Sequence, residues 1–146
     1  MAINPEILSL LDLPYNFGNG PDVKNVSPKD GVNCQQLTHM ILATLFQIRL
    51  PTEMRSKEFY EDQKYFTQVL VKEATIGDVF IFGRPEENDY RKLHLAVFIG
   101  QDSDGSALLI HANGVDKQVS LWPLDKFSQH PRYEKLYAVK RLKQPK

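Results

Sequence analysis

The chain has 146 residues, 42% of them apolar and 25% charged, and its 18 basic and 18 acidic side chains leave a formal net charge of zero. A chain of this length fits one domain with a real core. Its charge balance gives no electrostatic reason to expect a nucleic acid or an anionic membrane as partner. No apolar run nears the ~20 residues that a membrane span needs. The opening Met1-Ala2-Ile3-Asn4-Pro5-Glu6 has neither the basic nor the apolar region of a signal peptide, and a lone cysteine, Cys34, forms no internal disulfide. The expectation is a reduced, cytoplasmic protein, with signal-less export left open and the oligomeric state undetermined.

Asn4-Pro5-Glu6 starts a short helix, since Asn4 is a capping residue and proline suits the first helical position. Ile7, Leu8, Leu10 and Leu11 give that helix an apolar side, and Pro14 ends it. Residues 15–33, rich in Gly, Pro, Asn and Asp, form a long loop of the kind that often carries function. Cys34, Leu37, Ile41, Leu45 and Ile48 recur at spacings of three and four, which predicts a helix over 34–48 with the thiol at its head. His39 falls off that stripe and is expected on the helix surface. Pro51 breaks the pattern, and a second helix is expected over 56–66.

The remainder has the pattern of strands. Gly77-Asp78 precedes Val79-Phe80-Ile81-Phe82, and a polar loop over 84–92 leads to Leu93-His94-Leu95-Ala96-Val97-Phe98-Ile99-Gly100. Asp102-Ser103-Asp104-Gly105 is a hairpin turn, followed by Ala107-Leu108-Leu109-Ile110-His111-Ala112. Two further strands are expected over 117–122 and 133–142. His130 falls in a loop, and Lys135, Lys140, Arg141, Lys143 and Lys146 are expected on a solvated strand and tail. Two or three helices followed by four or five antiparallel strands define an α+β domain over residues 1–146.

A cysteine in the first turn of a helix faces backbone N–H groups and the positive end of the helix dipole, which favours a thiolate with a pKa below that of a free thiol. On the 93–100 strand, His94, Ala96 and Phe98 share one face; on the 107–112 strand, Leu109 and His111 share one. Pairing of these strands turns both histidines to the same side of the sheet. Small Ala96 leaves room there for the helix that carries Cys34, with the thiol beside His94. Such a group performs acyl transfer: Cys34 attacks a carbonyl carbon, His94 moves the proton, His111 orients His94, and the Cys34 N–H faces the oxyanion. Taken singly, a buried cysteine and either histidine also have ordinary structural readings. The chain lacks the paired Cys and His ligands of a zinc site, so no metal and no cofactor are expected.

These residues, in this order, resemble the NlpC-type cysteine peptidases, papain-like enzymes that cut the peptides of bacterial cell walls. In that family a Pro-Tyr-x-x-Gly segment precedes the nucleophile, as Pro14-Tyr15-Asn16-Phe17-Gly18 does here. The family's Leu-Pro after the nucleophile helix matches Leu50-Pro51, and its Gly-Asp strand start matches Gly77-Asp78. Its His-x-Gly-x-x-x-Gly strand is close to the run from His94 to Gly100, and its Ile-His-Ala matches Ile110-His111-Ala112. The resemblance covers about residues 13 to 122. It implies a papain-like fold, with the nucleophile helix packed on a C-terminal antiparallel sheet. It also implies Cys34, His94 and His111 as the catalytic residues, with Tyr15, Asn33 and Gln35 beside the substrate. The family's Asp-Cys-Ser-Gly is replaced by Asn33-Cys34-Gln35-Gln36, which removes the acid and the serine that help recognise a free amino end.

The first functional reading is a thiol hydrolase acting on a peptide or amide, either a cell-wall fragment or a glutamine-like side chain. An acyltransferase or deamidase would use the same site. A non-catalytic peptide- or protein-binding module and a phage-tail or toxin-associated domain are the other classes.

Overall fold

The computed structural model describes residues 3–24 and 27–143. Met1 and Ala2 of the chain's start and Lys146 of its basic end lie outside the described residues. Asn4 caps α1 (Pro5–Leu8), accepting the N–H groups of Glu6 and Ile7 at 2.8 and 3.3 Å. Leu10 and Leu11 continue in turns rather than in the helix, and Asp12, at φ 72°, redirects the chain before Pro14. Gly31, at φ 98°, then turns the long loop into α2 (Cys34–Phe46); a Cβ there would lie 2.7 Å from that of Asn16. Asn33 caps α2 through a 2.8 Å bond from the Gln36 N–H to its Oδ1. Gln47 closes the helix in the left-handed region, so Ile48 lies outside it.

The helix expected over 56–66 is α3 (Ser56–Glu61). It stops because Asp62 is extended and its carboxylate accepts the N–H groups of Tyr65 and Phe66 at 2.8 and 3.0 Å. Phe66 instead begins a strand, β1 (Phe66–Val69). There follow β2 (Val79–Gly83), β3 (His94–Gln101), β4 (Ala107–Asn113), β5 (Gln118–Pro123), α4 (Leu124–Phe127) and β6 (Lys135–Leu142). Tyr133 ends a 3-10 turn over Pro131–Tyr133 rather than starting β6. The strands form one antiparallel sheet in the order β1-β6-β2-β3-β4-β5. The architecture is α+β, as the sequence indicates.

The sheet is covered on both faces. On one, Leu37, Ile41 and Leu42 of α2 meet Leu95, Val97, Ile99, Ile110 and Ala112, joined by Ile7 and Phe59. On the other, Phe80, Phe82, Ala96, Phe98 and Leu109 pack under Trp122, Phe127 and Tyr133. This double burial explains why β2 is apolar at every position and buried throughout. It also corrects the expected placement of the nucleophile helix. Alternation separates the two faces of β3 without saying which one a helix will cover. The large side chains Leu95, Val97 and Ile99 match the stripe of α2, while Ala96 fills a gap among phenylalanines.

The basic C-terminal strand is solvated only in part: Lys135 and Lys143 are exposed, whereas Lys140 and Arg141 are drawn into the fold. Lys140 is buried and its ammonium donates to the carbonyls of Tyr60 and Asp62 at 3.1 and 2.7 Å, tying β6 to the end of α3. Arg141 makes a two-point pair with buried Asp78 at 3.0 and 2.9 Å, and Lys143 donates to the Gln63 carbonyl at 2.6 Å. No helix among the described residues is long and apolar enough to cross a membrane.

Candidate active site

Cys34 is the first residue of α2, and His94 is the first residue of β3. The helix lies on the Leu95 face of the sheet and the imidazole on the Ala96 face. Both side chains nevertheless line one cleft of about 500 Å³ at the end of the sheet. Leu93, Ala112, Asn113 and Gly114 also line it, as do Tyr15, Phe17, Asn33, Gln35 and Tyr133. Thiol and imidazole thus reach the same space around the sheet's rim, from elements that cover opposite faces.

His94 Nε2 is 2.7 Å from His111 Nδ1, a hydrogen bond between two buried rings. For His94 to act as a base, its proton must sit on Nε2 and be donated to His111, which leaves the lone pair on Nδ1. Among the described residues no hydrogen bond engages that Nδ1. In that tautomer His111 carries its proton on Nε2, which faces the Asn113 Nδ2 donor at 3.4 Å without a hydrogen bond, because the Asn113 Oδ1 accepts the Asp116 N–H at 2.7 Å. Tyr133 stacks on His94 with ring centroids 4.3 Å apart, and Trp122 and Phe127 close on His111 at 4.3 and 4.6 Å. Each ring is held by packing as well as by its hydrogen bond.

The electrostatics differ from the expectation of a standing thiolate. Burial pushes the Cys34 thiol above its ordinary value. The Leu95 N–H, the Ser56 hydroxyl and the N–H groups of Cys34 and Gln35 oppose that shift without reversing it. The helix start is therefore real, but desolvation outweighs it. Burial likewise pulls His94 down to about 3, and His111 is held well below the usual range by burial, with His94, Lys126 and His130 adding to it. At neutral pH the resting pair is a neutral thiol and a neutral imidazole.

His39 is half-buried rather than free on the helix surface. It contacts the Met54 carbonyl at 2.8 Å through Nε2 and meets Phe59 edge-on at 5.5 Å, and burial lowers its pKa. His130 does lie in a loop, stacked on Trp122 at 4.9 Å. Because His39, His94 and His111 are lowered in the fold, the unfolded chain takes up their protons first as pH falls below about 6.5. Stability is thus complete above that value and is lost on acidification, each group contributing about 1.4 kcal/mol per pH unit within its window. Urea unfolding between pH 7 and pH 5 is expected to show this slope, flattened in His39→Gln. A pH-independent midpoint would contradict it.

Of the expected substrate-side residues, Tyr15, Asn33 and Gln35 all line the cleft. The two amides are already engaged. Asn33 caps α2 and donates to the Phe17 carbonyl at 3.1 Å, and Gln35 Nε2 donates to the Ser56 hydroxyl at 2.6 Å. Ser56 and Tyr133 went unforeseen in the sequence. Ser56 is buried at the head of α3, a position that the helix prediction alone could have flagged. Tyr133 gave no local signal. Among the described residues no cluster of three His, Cys, Asp or Glu side chains is arranged to hold a metal.

A cysteine-headed helix against an antiparallel sheet that carries two bonded histidines is the papain-like fold of NlpC/p60 domains. The NlpC/p60 domain of the peptidoglycan hydrolase SagA superposes with a TM-score of 0.58 at 16% identity, over 95% of this chain and 93% of that one. A Staphylococcus aureus protein described as similar to a lipoprotein of the NLP/P60 family gives 0.64 at 21% identity, over 96% of this chain. This chain spans only 40% of that one. An N-acetylmuramoyl-L-alanine amidase from Bacteroides uniformis gives 0.53 at 14% identity, over 94% of this chain and 96% of that one. At these identities the likeness establishes the fold. No family model and no curated protein matches the sequence.

Proposed function

We propose that the protein is a thiol hydrolase that cleaves a peptide or amide bond through a Cys34 thioester, with His94 as base and His111 as its orienting partner. The observation that carries this reading is the 2.7 Å bond from His94 Nε2 to His111 Nδ1 in a cleft that Cys34 also lines. The neighbours described as a peptidoglycan hydrolase and an N-acetylmuramoyl-L-alanine amidase support a cell-wall fragment as the first substrate class to try.

The resting pair is neutral, so proton transfer accompanies attack rather than preceding it. As the sulfur bonds to the carbonyl carbon, the thiol proton moves to His94 Nδ1. The carbonyl oxygen takes up negative charge, which the Cys34 N–H at the helix start stabilises. Collapse breaks the carbon–nitrogen bond, and the His94 proton leaves with the amine. Water then attacks the thioester with His94 again as base, releasing a carboxylate and restoring the thiol. Tyr133, stacked on His94, keeps the ring from swinging away between the two half-reactions.

The test is mass spectrometry of muropeptides and of glutamine-containing peptides after incubation with the protein, with hydroxylamine present to intercept the thioester. The expected result is an acyl hydroxamate from one of the two classes, together with the matching amine or ammonia. Acyl groups captured from neither class by folded protein would overturn the reading.

A further inference from the structure

The whole chain is neutral, yet the cleft is not. Four cationic side chains line it, Arg84, Arg91, Lys92 and Arg132, against one acidic residue, Glu87. Arg91 is committed to Asp89, through Nε and a second guanidinium nitrogen at 2.9 and 3.0 Å. Among the described residues no ion pair holds Arg84, Lys92 or Arg132. The Glu87 carboxylate is turned to the Asp89 N–H at 3.3 Å. Around the thiol itself the polar side chains of Asn33, Gln35 and Ser56 are neutral and bonded to protein. The cleft therefore offers unpaired cations at its rim and no free carboxylate beside the nucleophile.

Resting on the proposed thiol chemistry, we infer that the substrate carries a carboxylate near the scissile bond, on the leaving-group side, and no ammonium group close to the acyl carbon. The side follows from the chain: Arg84, Arg91 and Lys92 belong to the segment that runs directly into His94, the residue that hands a proton to the leaving amine. Arg132 approaches from the turn that carries Tyr133, the ring stacked on His94. A carboxylate held there meets two or three cations lining one concave cleft, where the field is more focused than on an open surface. An ammonium would meet the same cations with only Glu87 to offset the repulsion.

Cys34 is the only cysteine, so its modification reports on the cleft alone. Methanethiosulfonate reagents that differ only in the charge of the transferred group supply the probe: sulfonatoethyl, trimethylammonioethyl and methyl. Each forms a mixed disulfide with the Cys34 sulfur and releases methanesulfinate. In low salt at pH 8 the anionic reagent is expected to react about tenfold or more faster than the cationic one, after correction for their rates with free cysteine. Raising the salt should shrink that ratio. In the exposed double variant Arg84→Gln with Arg132→Gln the ratio should fall to about twofold, and Arg132→Glu, which changes the cleft's charge by the same two units, should lower it to a similar extent. Equal rates for the two charged reagents, a ratio indifferent to these variants, or a folded protein that reacts with none of the reagents would each overturn the inference. None of these results depends on turnover. Hydrolysis that persists without the sulfur would instead overturn the catalytic reading and leave the rate ratios standing.

Discussion

Cys34→Ala is expected to reduce hydrolysis by at least about 10⁴-fold, to the background of the cleft alone, while the fold persists. The side chain is small and buried at the helix head, so losing its sulfur costs about 1 kcal/mol or less of core contact. The α2 cap belongs to Asn33 and the stripe to Leu37 and Ile41, none of which the substitution touches. The variant should also differ from wild type in alkali. The thiol pKa is raised by burial, so the unfolded chain ionises first as pH rises past the ordinary thiol value. Wild type loses that share of stability between the unfolded and folded pKa values, whereas the alanine variant has nothing there to lose. Turnover assays with urea unfolding at pH 7 and pH 10 check both halves. Hydrolysis retained by a folded alanine variant would remove Cys34 from the chemistry. His94→Ala belongs to the same comparison, with an expected loss of about 10²–10⁴ and the acyl group still accessible to strong external bases.

Trp122→Ala is expected to destabilise the protein by about 3–5 kcal/mol, which lowers Tm by about 10 °C or more. The indole is buried and its Nε1–H donates to Asp116 at 2.8 Å. It stands 4.3 Å from His111, 5.1 Å from Phe127 and 4.9 Å from His130, and the Lys126 ammonium lies 4.5 Å over its ring. Truncation leaves a cavity against His111. The orienting histidine then gains room to rotate, and turnover should fall more than the unfolded fraction accounts for. Trp122→Phe keeps the wall and loses the indole donor, so it should retain more of both properties. Thermal unfolding and turnover of the two variants separate these effects. A loss under 1 kcal/mol in Trp122→Ala would mean that the aromatic cluster is packed too loosely to position His111.

The elements that were legible in the sequence carry their cause locally. The α2 helix shows a cap at Asn33 and a stripe of three- and four-residue spacings. The hairpin at residues 102–105 shows its turn residues, with Asp102 accepting N–H groups from Asp104 and Ser106 at 2.9 Å. β1 was hidden because it is short and only Phe66 among its residues is fully buried, so no alternation builds up. Its existence depends on pairing with β6. The histidine face was readable from the period of two, whereas the side chosen by α2 was not, because that choice compares two whole surfaces. The thiol pKa went the other way for a similar reason: the favourable helix start is local, and the burial that outweighs it comes from the assembled fold. Tyr133 over His94 and the cations at the cleft's rim are products of chain return that no spacing rule addresses.

The thiol and imidazole arrive around the rim of one sheet from elements on opposite faces, and this fixes when in the chain's own synthesis the site exists. A helix of 13 residues such as α2 is marginal alone and takes its support from β3 and β4. A growing chain that has exposed residue 34 but not residue 113 has no stable helix head, no histidine pair and no aromatic wall from residues 122 to 133. The grouping of Cys34, His94 and His111 would thus be assembled by the last long-range contacts to form. A nascent chain would therefore hold Cys34 apart from the histidine pair through most of its translation.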